Sequence, residues 1–350
     1  MFALSMPAVP ASADQYRDMQ WYLKSLRIAE AHRMTEGAGV IVAVIDTGVS
    51  AAHSDLDGAV LPGKNVLGSG GDGRQDAYGH GTSMAGIIAA RGRGGGRGLL
   101  GVAPRAKILP VRPSGDTLVT VDAIRWSVAH GAKVINMSFA MDGSDQLADA
   151  VKLAADKDVV LVGAAGNSGT GANSQEYPAA YPEVVAVGAV DRTGDVPSFS
   201  QRGPQIDLVA PGVDIPTLPR DAEASYKISR GTSEAAAIVS GAAALIRARF
   251  PELSAAEVVQ RLTSTAVDKG APGRDDTYGH GSLNLMAALT AKAPPPSSVP
   301  SAPATGPTVV SAPDGDDDGS GVPLLVIGLG VLLLAGAAVA AVLVVRRSGA

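Results

Sequence analysis

Four short blocks hold residues able to do nucleophilic chemistry together. In Val42-Ala43-Val44-Ile45-Asp46-Thr47-Gly48 a carboxylate ends an apolar run. In Gly79-His80-Gly81-Thr82-Ser83-Met84-Ala85 an imidazole opens a run of small residues. Ala164-Ala165-Gly166-Asn167 ends another apolar run with a side-chain amide, and Gly231-Thr232-Ser233-Glu234-Ala235-Ala236 places a hydroxyl at a second small-residue helix start. A serine hydroxyl attacks well only when a base takes its proton and a carboxylate holds that base in the right tautomer. Ser233, His80 and Asp46 supply those roles, in the chain order Asp, His, Ser. A helix start at Ser233 offers a backbone N–H to a developing oxyanion, and Asn167 is the natural second donor. The chain has no Cys, which excludes thiol nucleophiles, Cys-ligated metals and disulfides.

These blocks need a frame that brings distant segments together. An all-apolar run at 39–45 and similar runs at 106–109, 133–137, 159–164, 184–187 and 206–209 suit central parallel strands buried on both faces. Helical patterns at 83–90, 120–130, 146–155 and 233–249 alternate with them. That order predicts an α/β domain with right-handed crossovers. Asp46 and Asn167 then stand at strand C-terminal ends, where open α/β sheets collect function. After Pro251, Ser254 and Glu257 form a capping box ahead of a stripe of Val258, Val259 and Leu262. One echo occurs: residues 76–81 and 276–281 share Asp, Tyr, Gly, His and Gly at matching positions. It reads as a recurrent tight turn, and only His80 is followed by a small-residue helix.

The sequence resembles the subtilases, the subtilisin-type serine proteases, over about residues 40–288. The resemblance rests on the three triad blocks in order, the Gly166-Asn167 block between them, Gly101-Val102-Ala103-Pro104, and Tyr177-Pro178-Ala179 before an apolar run. It implies a three-layer subtilisin-like α/β fold with a mainly parallel central sheet flanked by helices. It implies Asp46, His80 and Ser233 as the triad and Asn167 with the Ser233 N–H as the oxyanion hole. Ser138, Phe139, Ala140, Ala165 and Gly166 become candidates for the substrate cleft. No cofactor is implied. Calcium occurs in parts of the family, but no Asp-rich ligand run is evident and no metal is assigned. The layout is further similar to the mycosins, membrane-anchored subtilases of type VII secretion, although many of those carry disulfides. Three positions depart from the subtilase pattern: Ala237 replaces a usual Pro, Ala140 a common cleft Gly, and Glu234 a usual apolar residue. Glu234 adjoins the nucleophile, where it can compete for His80 or alter the oxyanion field.

The whole chain has 350 residues, of which 46% are hydrophobic, enough for a sizeable core, so disorder throughout is excluded. A net charge of -5 argues against a nucleic-acid partner. The run Arg91-Gly92-Arg93-Gly94-Gly95-Gly96-Arg97-Gly98 lacks the aromatics that RNA stacking uses and reads as a loop. His53 reads as structural, His32 and His130 as surface or helix-end residues.

Residues 1–13 resemble the end of a signal peptide, with Ala11-Ser12-Ala13 as a small-x-small cleavage site. Residues 14–38 form an N-terminal extension, read as a strap across the peptidase domain of residues 39–290. Residues 291–321 form a Pro/Ser/Asp-rich tether. Residues 322–345 are uncharged and, at about 1.5 Å per residue, reach roughly 36 Å as a helix, enough to span a bilayer. Arg346 and Arg347 follow, which places the 346–350 tail in the cytoplasm and the catalytic domain outside. The expectation is a membrane-anchored extracytoplasmic serine endopeptidase acting on protein or peptide substrates and associated with type VII secretion components. The rival is a catalytically impaired subtilase-fold component of a secretion complex.

Overall fold

The computed structural model describes residues 13–66, 70–93, 96–221 and 226–292. Its centre is a sheet of seven strands: β1 (Ile41–Ile45), β2 (Lys64–Asn65), β3 (Lys107–Arg112), β4 (Val134–Met137), β5 (Val160–Ala164), β6 (Val184–Val190) and β7 (Leu208–Pro211). Their spatial order is β2-β3-β1-β4-β5-β6-β7, and every neighbouring pair is parallel. From β1 the chain crosses to the edge strand β2 and comes back to β3 on one side, then places β4 and the later strands on the other. The crevice outside the carboxyl ends of β1 and β4 therefore lies where the winding reverses, the usual ligand position in such sheets.

Alternation along the strands builds two cores. Val42 and Val44 face one side with Ile108, Val160 and Val162, against α4 (His80–Ala89) and α7 (Thr232–Arg249). Ala43 and Ile45 face the other with Leu109, Ile135 and Leu161, against α5 (Thr117–Ala129) and α6 (Asp145–Asp156). A helix layer on each face of one sheet gives three layers. Helix α7 is buried from Thr232 through Arg247. Its Ala and Gly content permits this depth: a Cβ on Gly241 would stand 2.6 Å from the Val102 side chain.

Strand β3 continues past the expected end at Leu109, through Pro110. Ile108 directs its N–H to the Ala59 carbonyl and accepts from the Leu61 N–H. Pro110, two residues on, directs its missing donor to that same outer side and so costs the β1 ladder nothing. Strand β6 likewise runs three residues beyond its expected end at Val187.

The short helices α1 (Ala13–Met19), α2 (Trp21–Ser25) and α3 (Ile28–His32) precede the sheet. Arg17 donates to the Gly98 carbonyl at 2.7 Å, and Trp21 Nε1 to the Val213 carbonyl at 3.0 Å. Helix α8 (Ala255–Ser264) opens on the expected reciprocal box of Ser254 and Glu257. The antiparallel pair β8 (Ile215–Thr217) and β9 (Lys227–Ser229), and the last helix α9 (Leu285–Thr290), complete the described elements. The expected signal remnant through residue 12, the tether from residue 293 and the 322–345 span lie outside the described residues. Among the described residues no helix is long and apolar enough to cross a membrane.

Candidate active site

Asp46 directly follows β1, and its side chain is buried. Its Oδ1 accepts from the Thr47 N–H at 2.7 Å. His80 opens α4 and brings Nδ1 to 2.9 Å from Asp46 Oδ1 and 2.8 Å from Oδ2. This approach depends on Gly81: a Cβ there would lie 2.1 Å from the Gly48 carbonyl oxygen and 3.1 Å from Asp46 Cβ. With Nδ1–H donated to the carboxylate, Nε2 is the basic nitrogen. Burial alone would lower the His80 pKa, but the Asp46 hydrogen bond and charge, with smaller fields from Glu234 and Asp76, push it up to about 9.

Asp76 holds this arrangement and was not singled out from sequence. Its Oδ1 accepts from Thr47 Oγ1 at 2.7 Å, the Tyr78 N–H at 3.0 Å and the Gly79 N–H at 2.8 Å. Its Oδ2 accepts from the Thr82 N–H at 2.8 Å and Thr82 Oγ1 at 2.6 Å. Thr47 Oγ1 in turn accepts from the Gly81 N–H at 3.0 Å. One carboxylate thus ties the turn after β1 to the first turn of α4. Burial raises the Asp76 pKa, but the hydroxyls of Thr82 and Thr47 and the backbone donors outweigh it and hold the group below the ordinary carboxylate value. The Thr47 and Thr82 hydroxyls were its sequence signal, one residue beyond Asp46 and two beyond His80, each next to a Gly.

Ser233 is the second residue of α7, so its N–H belongs to the first turn, which has no intrahelical acceptor. Its hydroxyl donates to the Ser138 carbonyl at 3.3 Å, and Ser138 Oγ donates to the Ser233 carbonyl at 3.1 Å. No hydrogen bond joins Ser233 Oγ to His80 in this structure. Helices α4 and α7 pack against one another, and the charge of Glu234, the residue after Ser233, reaches the His80 imidazole, so the start of α7 lies near the start of α4.

Asn167 is exposed beyond β5. Its Oδ1 accepts from the Thr232 N–H at 2.9 Å and Thr232 Oγ1 at 3.1 Å. That engages the amide oxygen, and among the described residues Nδ2 makes no hydrogen bond. Thr232, also missed from sequence, accepts at Oγ1 from the Gly166 N–H at 3.1 Å and so clamps the Gly166-Asn167 turn to α7.

Two cavities flank the Ser138–Ala140 wall. One, of about 360 Å³, is lined by Asp46, His80, Arg112, Ser138, Phe139 and Ala140, among others. The other, of about 280 Å³, is lined by Ser138, Phe139, Ala140, Gly166, Asn167 and Ser233, with Glu176 and Ser168. Ala165 departs from the cleft expectation. It is buried with Val190, Ile206 and Val209 and lines neither cavity, because the chain alternates and presents Ala164 and Gly166 to the pocket instead.

Glu234 does not compete directly for His80. Its Oε1 accepts from Ser229 Oγ in β9, and its Oε2 lies close to Gly231. The carboxylate reaches the imidazole only as a field. Ala237 is buried in the α7 core. His53 is buried, and its Nδ1 accepts from the Asp55 N–H at 3.2 Å, capping a short turn.

A strand-end carboxylate, a helix-start imidazole and a helix-start hydroxyl on a doubly wound parallel sheet define a subtilisin-like serine protease. The profile of the subtilase family matches residues 37–281, and the chain belongs to that family. It is 42% identical to subtilisin DY of Bacillus licheniformis over 262 residues, covering 72% of this chain and 92% of that one. Among solved structures it is similar to MycP1 with the N-terminal propeptide removed, at 33% identity and a TM-score of 0.71, covering 78% of this chain and 98% of that one. MycP1 from Mycobacterium smegmatis matches at 30% identity and a TM-score of 0.70, covering 88% and 91%. MycP3 from the ESX-3 type VII secretion system matches at 31% identity and a TM-score of 0.69, covering 81% and 91%. The chain is thus a subtilase related to the mycosins.

Proposed function

We propose that this protein is a membrane-anchored, extracytoplasmic serine endopeptidase associated with type VII secretion. The observation that carries the peptidase reading is the His80 imidazole held by Asp46 through both carboxylate oxygens, beside the α7 start that bears Ser233. Rotation of Ser233 about χ1, between staggered wells, turns Oγ from the Ser138 carbonyl toward the imidazole. Oγ then attacks a peptide carbonyl while His80 Nε2 takes its proton. Asp46 stays ionised and stabilises the imidazolium. The Ser233 N–H and Asn167 Nδ2 donate to the tetrahedral oxyanion. His80 passes its proton to the leaving amine, which frees an acyl-enzyme. Water then enters and attacks the acyl carbon while His80 takes its proton; the acyl–Oγ bond breaks, the acid leaves and His80 returns the proton to Ser233 Oγ.

The MycP1 and MycP3 likenesses support the secretion association, and the uncharged 322–345 run followed by Arg346 and Arg347 supports the anchor and its orientation. On this reading residues 14–38 form an extension, 39–290 the catalytic domain and 291–321 a tether. A second reading, a catalytically impaired structural component, draws on the Ser233 hydroxyl engaged with Ser138 and on the buried Glu234 beside it.

The deciding experiment treats the full chain in detergent or membranes with a fluorophosphonate probe, beside Ser233→Ala. Labelling of the parent and none of Ser233→Ala is expected. A folded parent that stays unlabelled rejects the peptidase reading and leaves the structural one.

A further inference from the structure

We infer that Glu176 makes the pocket beside Ser233 selective for a cationic side chain, lysine or arginine, on the residue whose carbonyl is attacked. This rests on the peptidase reading above and names its substrate class.

The attacked carbonyl carbon must meet Ser233 Oγ, and its oxygen must meet Asn167. Both residues line the 280 Å³ pocket. The substrate Cα is one bond from that carbon, so its side chain is the one nearest this pocket. The walls there are short: Ala140, Ala164 and Gly166 leave room for a long unbranched stem. Glu176 is the one charged residue among those lining the pocket.

Its carboxylate is held with one oxygen engaged and one open. Oε1 accepts from Ser168 Oγ at 2.9 Å and from Gln201 Nε2 at 2.7 Å. Gln201 is fully buried, and its N–H donates to the Gly166 carbonyl at 3.1 Å, so this support is built into the core. Among the described residues Oε2 accepts no hydrogen bond, and no Lys or Arg forms an ion pair with the group. Gly166 makes the placement possible: it has φ +112°, and a Cβ there would lie 2.6 Å from Oε2. A half-buried carboxylate with a free oxygen and no cation partner is completed by a charge-assisted donor and left costly by an apolar or acidic one.

The test uses matched peptide p-nitroanilides that differ only in the residue before the leaving group: Lys, Arg, norleucine, Gln or Glu. In the parent, Lys and Arg should exceed norleucine in kcat/KM by about 10- to 100-fold, the scale of a partly dehydrated charge pair. In Glu176→Gln that ratio should fall to within about threefold, and in Glu176→Lys the Glu substrate should become the preferred one. Calorimetric binding of benzamidine, which needs no turnover, should weaken at least about tenfold in Glu176→Gln. Equal Lys and norleucine rates, or equal benzamidine binding by parent and Glu176→Gln, overturns the inference. If fluorophosphonate labels Ser233 while no cationic preference appears, this inference alone falls. If Ser233 is unlabelled, the peptidase reading falls, and benzamidine binding still decides what Glu176 selects.

Discussion

Residues 76–81 and 276–281 share Asp, Tyr, Gly, His and Gly at matching positions, yet they build different things. In the first, the Asp76 carboxylate caps the Tyr78 and Gly79 N–H groups and continues to Thr82, so α4 starts at His80 and the imidazole meets Asp46. In the second, the capping carboxylate is Asp275, one residue before the repeated Asp; it takes the Thr277 and Tyr278 N–H groups. The chain there closes on itself between Asp275 and Gly279, and the His280 N–H docks on the Asp207 carbonyl. The second His is exposed. The echo is therefore two turns offset by one residue, not one recurrent turn. What separates them is the following residue: Thr82 returns a hydroxyl and an N–H to Asp76, whereas Ser282 pairs with Val267 as an isolated bridge. A hexapeptide does not carry function; the element it opens does.

The largest expected break in this comparison is at the imidazoles. His80→Ala should lower kcat/KM by at least about 10³-fold, because the proposed general base is lost, while His280→Ala should change it by less than about twofold. Steady-state assay on one peptide substrate checks both, and comparable losses would equate the two turns.

The capping carboxylates come next. Asp76→Ala strands five donors and should lower unfolding stability by about 2–3 kcal/mol in urea titration, with kcat falling as His80 loosens. Asp275→Ala, at a solvent-accessible turn, should cost about 1 kcal/mol or less and leave kcat in place. The Asp76 pKa in the folded protein is depressed below its ordinary 3.8. Its contribution is therefore present above that value and lost as pH falls through the folded pKa, so parent and Asp76→Asn stabilities should converge in acid.

A pH profile sharpens the role of His80. On the proposed mechanism the base acts as neutral imidazole, so kcat/KM should rise with pH through an inflection near 9, where His80 loses its proton. Because this folded pKa exceeds the ordinary 6.5, the stability contributed by the His80–Asp46 pair is complete below 6.5 and lost as pH rises through about 9. Asp46→Asn should return the inflection toward the ordinary value. An unmoved inflection would mean another group titrates.

The smallest effect is expected at Glu234. Its carboxylate reaches His80 only as a field, so Glu234→Gln should lower the inflection less than Asp46→Asn does. A larger shift than Asp46→Asn would make Glu234 the principal partner.

Most of the frame was legible before the structure. Buried parallel strands favour Val, Ile, Leu and Ala, and runs rich in these residues mark the central strands to within a few residues. Where they ended early, the cause was local: Pro110 looks like a stop until its missing donor proves to face outward. The strands β8 and β9 left no comparable signal, since they are three residues each and pair only with one another. The expected sites at Asp46, His80, Asn167 and Ser233 all stand at ends of elements, Asp46 and His80 lining one cavity and Asn167 and Ser233 the other, on either side of the Ser138–Ala140 wall. Ala165 was misplaced because a cleft-side segment alternates, and alternation has no visible phase until one neighbour is seen to be buried.

Residue type and order alone determined the fold class, the family likeness and which imidazole is followed by a helix, because these follow from hydrophobic runs and from chemistry available to only a few side chains. Tertiary structure decided the rest. Asp76 joins Thr47 to Thr82, Thr232 orients Asn167, and Gln201 presents Glu176 to the pocket. Each links segments whose separation in sequence carries no information about distance. Hydrogen-bond geometry acts over about 3 Å, and only the folded chain brings such partners within that reach.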